Sequence, residues 1–425
     1  MPGDVTQTAV RLFIALLAGA VAVALVSRKV ALPYSVGLVL VGLVLARLTS
    51  GLEVAVTPEL VLGVLLPGLI FEAALRTGFE ELRPSFIGVL LLAVPGVVIG
   101  AWIVALVLQA GIGMDFGPAF LVGAMVAATD PAAVIATFRR THAPKRLATF
   151  VEGESVLNDG TGIVLFTIGL AAVSGGDSPA GGVVAFAVTV TASVAIGAGA
   201  GYVASRILAT VDDHLVELTL SVVLAYGSYQ LAEIVHASGI IATVLAGVTL
   251  GSYGRTHGLS PRALEAIDTV WEFIAFVLTA LIFLLLGLAI SLEAVSAAMV
   301  PIAWAVAAVL AARAIVVYVL LGGASRLAGR LERTLVPEGG AARPVPAAWL
   351  HVLFWAGLRG AVSVAMALSL PREIPDRDLL QGITFGVVLF TLVVQGSTAD
   401  LLVRRVLTGR PAIPSPPAEQ PPALG

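Results

Sequence analysis

The sequence predicts an all-α polytopic membrane protein of about thirteen transmembrane helices, and three observations carry that expectation. Of 425 residues, 58% are hydrophobic and only 12% charged, against roughly 25% charged in soluble domains. Mean hydropathy is +1.02. Apolar windows of roughly 17–25 residues, long enough to cross a bilayer, recur along the whole chain. The 45 glycines suit helices that pack closely in lipid, where small residues let backbones approach.

In order, the windows fall near 8–26, 30–48, 58–75, 84–110, 117–138, 146–173, 180–209, 214–234, 239–254, 269–291, 297–323, 346–370 and 378–403. The chain opens Met1-Pro2-Gly3-Asp4, with its first positive charge at Arg11. Without a clear small-x-small cleavage site, the first window is expected to be a retained span and not a signal peptide. An odd count puts the termini on opposite sides. Alternate connections carry Arg28 and Lys29; Arg76 and Arg83; Arg139, Arg140, Lys145 and Arg146; Arg206; Arg255 and Arg262; and Arg326, Arg330, Arg333 and Arg343. Arg404, Arg405 and Arg410 add to that set, whereas the opposite connections hold only Arg47, Arg372 and Arg377. This asymmetry places the C-terminus in the cytoplasm and the N-terminus outside a cell (inner) membrane. Residues 1–409 form one membrane unit. The Pro-rich stretch 410–425 should be a disordered or polyproline-like cytoplasmic tail, and the loop near 324–345 is the longest cytoplasmic connection.

Composition excludes several classes. A net charge of -3 gives no basic footprint for nucleic acid. With no Cys there are no disulfides or thiolate metal sites. P-loop, Rossmann and zinc-ligand patterns are missing, so no cofactor is expected.

Two spans are interrupted. In the fifth, Asp130-Pro131 sits mid-window; Pro131 lacks an N–H and biases Asp130 away from the α region. Asp before Pro also serves as an N-cap and first helical residue, so a second half-helix can start there. In the twelfth, Arg359 stands among Gly357 and Gly360 at mid-depth. Paired interruptions in corresponding halves point to the binding site of an inverted-repeat transporter. Spans five and twelve correspond if two inverted six-helix repeats cover spans one to six and eight to thirteen.

Polar chemistry concentrates in Val151–Gly162 of the sixth window. Glu154 and Asn158 are i,i+4, as are Ser155 and Asp159, so two polar pairs lie on adjoining helix faces. A charge at the bilayer centre costs about 2.5–3.5 kcal/mol on insertion scales, so such a face must meet a partner, a cavity or an ion. Asp130 and Asp159 are the strongest candidates, each beside further oxygen donors: Thr129 for one, Ser155 and Asn158 for the other. Carboxylate, hydroxyl and carbonyl oxygens suit a hard cation such as Na⁺. Arg359 must be paired if buried, and Glu154 is the expected partner with Asn158 bridging. Glu72 either lines the cytoplasmic approach to the site or snorkels to the interface. Glu152 reads as interfacial, and Glu233, Glu272 and Arg313 as helix-pairing or anchoring groups. His351 lies near a boundary.

Ala128-Thr129-Asp130-Pro131, Glu152-Gly153-Glu154-Ser155-Val156-Leu157-Asn158-Asp159-Gly160 and Gly357-Leu358-Arg359-Gly360-Ala361 resemble the signature segments of the NhaP-type, electroneutral sodium/proton antiporters of the monovalent cation/proton antiporter superfamily. The resemblance spans nearly the whole chain and implies a homodimer in lipid. Each protomer would have a scaffold (spans 1–3 and 7–10), a moving core (spans 4–6 and 11–13) and discontinuous crossing helices 5 and 12. It implies that Asp130 and Asp159 are the carboxylate ligands exchanging Na⁺ (or Li⁺) for H⁺, with Ser155 and the Thr129 carbonyl as further ligands. Glu154, Asn158 and Arg359 would hold the core together, and Glu72 would lie beside the site.

The expected mechanism is competition of cation and proton for the same carboxylates during alternating access. Asn158 cannot titrate, and similar electrogenic antiporters carry Asp there, so Asn fits one-for-one exchange. A K⁺/H⁺ exchanger is the nearest alternative, because the ligand set does not fix ion size. A cation channel would need a repeated pore loop or a ring of acids. An intramembrane aspartyl protease would need Tyr-Asp and Gly-x-Gly-Asp patterns, which are absent.

Overall fold

The computed structural model describes residues 2–27, 34–48, 60–77, 82–141, 143–174, 179–289, 292–327 and 345–408, and every regular element among them is helical. In chain order they are α1 (Pro2–Ser27), α2 (Tyr34–Leu48), α3 (Val61–Leu65 continued by Leu66–Arg76) and α4 (Arg83–Ile112). The broken α5 follows as α5a (Phe116–Met125) and α5b (Ala132–Thr141), then α6 (Lys145–Val173), α7 (Pro179–Leu208) and α8 (His214–Ile234). Next come α9 (Gly239–Thr249, prolonged to His257), α10 (Pro261–Ala289) and, after a short helix Leu292–Ala297, α11 (Met299–Leu327). A second broken helix, α12a (Ala347–Trp355) and α12b (Ala361–Leu368), precedes α13 (Arg377–Leu407). Seven of these are long and apolar enough to cross a membrane, and Ile14–Ser27, Tyr34–Arg47 and Phe116–Met125 are shorter apolar helices. The tail 410–425 and most of the 324–345 loop lie outside the described residues.

Local chemistry explains where helices start. Asp213 caps α8 by accepting from the Leu215 N–H at 2.9 Å, and Ser238 caps α9 by accepting from Ile241. Both satisfy donors that the first helical turn leaves free. α10 begins at Pro261 and not at the expected 269, because Arg262, Glu265 and Asp268 extend it beyond its apolar window. Asp268 is fixed there by Arg255, whose Nη1 lies 3.1 Å from Oδ2. Within α4, Pro95 falls in a π-helical turn, Leu92–Gly96, where the wider turn accommodates a residue with no N–H to give.

Packing sorts the helices by neighbour. α2 runs along α10 with the backbones touching: a Cβ on Gly42 would stand 2.3 Å from the Leu284 oxygen. α3, α7 and α8 surround α9, whereas α4 packs on α5a and α11, and α13 contacts α5b, α11, α12a and α12b. Outward faces expose Ile14, Val21, Leu25, Tyr202, Leu231 and Val319, as helices bathed in lipid do. Buried polar side chains occur in both sets, and those of the second include Glu154, Asn158, Arg313, Arg359 and Thr391.

Candidate functional site

The site is built where the two helix breaks cross. The last hydrogen bonds of α5a are made by the Val126 and Ala127 N–H groups, and residues 128–131 are unwound. Residues 357–360 are likewise non-helical between α12a and α12b. The Asp130 N–H donates to the Leu358 carbonyl at 2.8 Å, joining the two extended segments backbone to backbone. Gly360 lies against Asp130 so closely that a Cβ there would stand 2.3 Å from the Asp130 Cβ.

Each broken helix ends with carbonyls that have no helical partner and with a partial negative charge. Two buried arginines answer them. Arg359 Nη1 donates to the Ala127 oxygen at 2.6 Å and the Ala128 oxygen at 3.2 Å, closing the end of α5a. Arg313, from α11, donates through Nε and Nη2 to the Leu353 oxygen of α12a, at 3.2 and 2.7 Å. Arg313 also grips Glu154 in a two-pronged ion pair, Nη1 to Oε1 and Nη2 to Oε2, the latter at 3.0 Å. Arg313 is 8% exposed and Glu154 2%.

This corrects the expected pairing. Glu154 is held by Arg313, not by Arg359, and Asn158 does not bridge them. Arg359 is drawn instead to the unpartnered carbonyls of α5a. Arg313, expected to pair helices elsewhere or to anchor an interface, is the counter-charge of the sixth helix. Asn158 holds the unwound segment instead. Its Nδ2 donates to Thr129 Oγ1 at 2.6 Å and its Oδ1 accepts from the Thr129 N–H at 3.3 Å. Ser155 Oγ donates to the Thr129 carbonyl at 2.6 Å. Two residues of α6 therefore clamp the unwound Thr129 from three sides. Asp130 and Asp159 are each partly exposed and lie within electrostatic range of one another.

Glu72 is partly buried in α3 and ion-paired with Arg76 at 2.5 Å. Arg76 reaches on to Glu272 at 3.3 Å, and α3 packs against α6. Glu233 accepts from the Gly239 N–H at 3.1 Å, tying the α8–α9 turn. His351 Nδ1 meets the Tyr318 hydroxyl at 2.8 Å, joining α12a to α11.

Two supporting residues are not evident from the sequence. Gly360 gives no signal there beyond its place next to Arg359. Thr391 of α13 accepts the Arg359 N–H at 3.0 Å and itself donates to the Val388 carbonyl at 3.0 Å. Thr391→Val removes that acceptor at constant size and leaves a buried N–H unmatched. A loss of about 1–3 kcal/mol, read by thermal melting of the purified protein, is the expected result.

Two interrupted helices crossing around paired carboxylates inside a helical membrane protein define the class of secondary transporters with broken-helix sites. The chain matches the family described as "Sodium/hydrogen exchanger, transmembrane" over residues 12–405 and belongs to it, among the NhaP-type antiporters of the cation/proton antiporter superfamily. It is 37% identical to the low-affinity Na⁺/H⁺ antiporter NhaS1 of Synechocystis over 92% of this chain and 74% of that one. It is 35% identical to the Na⁺/H⁺ antiporter NhaP of Pseudomonas aeruginosa, over 90% of this chain and 93% of that one. The sodium proton antiporter MjNhaP1 of Methanocaldococcus jannaschii shares the fold, with a TM-score of 0.74 over 95% of this chain and 99% of that one at 20% identity. The family is one of transporters, not enzymes.

Proposed function

We propose that the protein exchanges Na⁺ (or Li⁺) for H⁺ one-for-one across the cell membrane, with cation and proton competing at Asp130 and Asp159. The observation that carries this reading is a charge balance. Glu154 and Arg313 neutralise each other, and Arg359, whose guanidinium lies on the Ala127 and Ala128 carbonyls at the start of the unwound Asp130 segment, is taken as the positive charge that counts against the two aspartates. An empty site with both aspartates ionised holds one unmatched negative charge. One Na⁺ or one proton cancels it, and Asn158 adds nothing to the count. Carrying a net charge across the membrane costs about 2.3 kcal/mol per 100 mV besides desolvation, so a loaded, neutral site moves more readily than an empty one. Exchange is then obligatory and electroneutral.

The cation would be held by the Asp130 and Asp159 carboxylates, Ser155 Oγ and the Thr129 carbonyl, as substrate and not as a resident metal. Ser155 Oγ already touches that carbonyl, which supports a common ligand cluster. We assign α4–α6 and α11–α13 to a moving core and α1–α3 and α7–α10 to a scaffold, following the way the helices choose neighbours. We take the working unit as a homodimer in the inner membrane, N-terminus outside and C-terminus in the cytoplasm, consistent with the arginine asymmetry. The names of the relatives favour Na⁺ over K⁺.

Proton release on adding Na⁺, Li⁺ or K⁺ to everted vesicles tests the assignment, with Asp159→Ala as control. Release with Na⁺ or Li⁺ supports it; release with K⁺ alone makes the protein a K⁺/H⁺ exchanger. Gly360→Ala offers a second check, because the added methyl must displace Asp130 or part the two segments. A drop in exchange of about tenfold or more, equivalent to about 1.4 kcal/mol, is expected while the protein still inserts and purifies. Unchanged exchange would mean that the contact between the breaks is not needed.

A further inference from the structure

Beside the crossing lies a cavity of about 30 Å³ bounded by α4, α5a, α6 and α11. Much of its wall is small or apolar, including Gly100, Val309 and Ala312, yet four polar side chains line it: Glu154, Asn158, Arg313 and Arg359. Glu154, Asn158 and Arg313 are engaged in the bonds already described. Arg359 is only 6% exposed, and its Nε donates to no protein atom among the described residues. A buried donor on a charged group costs more when unmatched than a neutral one. A buried water needs roughly 10–15 Å³ of such space and two to four polar partners, and this cavity offers both.

We propose that the cavity is a water-binding site, in which an ordered water accepts from Arg359 Nε and donates to the Glu154 carboxylate. The water supplies indirectly the Arg359–Glu154 link that the protein does not make directly. It joins two clasps, Arg359 on the end of α5a and Glu154–Arg313 on the end of α12a, so that both half-helices hold their position as one unit. Arg359 is in this respect a positioning residue. The site does not depend on which ion is carried, and its readouts are solvent density and melting temperature, so it stands or falls apart from the exchange reaction.

The test uses the full chain in detergent or nanodiscs. A map that resolves ordered solvent should show density within hydrogen-bonding distance of Arg359 Nε. Two variants probe the same point thermally. Val309→Thr keeps the size of the wall and adds a hydroxyl, which a wet cavity accepts and a dry one resists. Gly100→Val fills space, since a Cβ at Gly100 meets nothing within 4 Å. If water occupies the cavity, Val309→Thr leaves the melting temperature unchanged within about 1 °C and Gly100→Val lowers it by about 2–4 °C. Empty density around a well-resolved Arg359, or a fall with Val309→Thr and none with Gly100→Val, would overturn the proposal. So would an anomalous bromide peak at that point, which would make the occupant an anion. Should Gly100→Val fail to fold, the density and the Val309→Thr shift still decide.

Discussion

Asp159→Asn is expected to reduce Na⁺-driven proton release by about a hundredfold or more, equivalent to about 2.7 kcal/mol, while the protein inserts and melts like the parent. The side chain keeps its shape as an amide, and the bonds by which α6 holds Thr129 come from Ser155 and Asn158, so the fold has little to lose. What disappears is the exchangeable charge. With Asp130 alone against Arg359 the empty site is already neutral, and neither Na⁺ nor H⁺ is required before the core moves. Isothermal titration with Na⁺ and vesicle exchange should therefore fail together. Retained exchange in this variant, combined with abolition by Glu154→Gln in a protein that remains folded, would reverse the division of labour assigned to α6.

Glu154→Ala should be the most destabilising single change in the core. It leaves the Arg313 guanidinium buried without its carboxylate, and breaking a buried pair from one side costs about 3–5 kcal/mol. The resulting fall in melting temperature should be partly recovered in the double variant Glu154→Leu/Arg313→Leu, because removing both charges also removes the desolvation they impose. Recovery should be incomplete, since the Leu353 carbonyl loses both of the donors that Arg313 gives it. A double variant that loses as much as the Glu154→Leu and Arg313→Leu variants together would show that the pair does not act as a unit.

Much of this architecture is legible in the sequence because lipid imposes strong rules. Apolar length marks the helices, and Asp130-Pro131 marks one break through the covalent geometry of proline. Gly357-Leu358-Arg359-Gly360 marks the other by placing a permanent charge among glycines. The polar face of α6 is readable because i,i+4 spacing is local. Pairing across the protein is not. Arg359 stands at clear mid-depth among glycines, so depth offers it, and not Arg313, as the partner for Glu154. The choice is made by the crossing, which aims Arg359 at the free carbonyls of α5a and brings Arg313 across 159 positions of sequence. Thr391 is hidden for the same reason, since its acceptor role exists only because residue 359 is unwound. Gly360 matters through a contact with Asp130, which no spacing rule predicts.

The central claim is that one cation and one proton exchange at a site that is neutral whenever it moves. Purified protein in proteoliposomes, placed on a solid-supported membrane while an internal dye reports pH, gives current and turnover in the same preparation. The charge balance of Asp130, Asp159 and Arg359 predicts that a Na⁺ step changes internal pH without a sustained current at any cation concentration. A current that rises in proportion to turnover, and vanishes in Asp159→Asn, would contradict it.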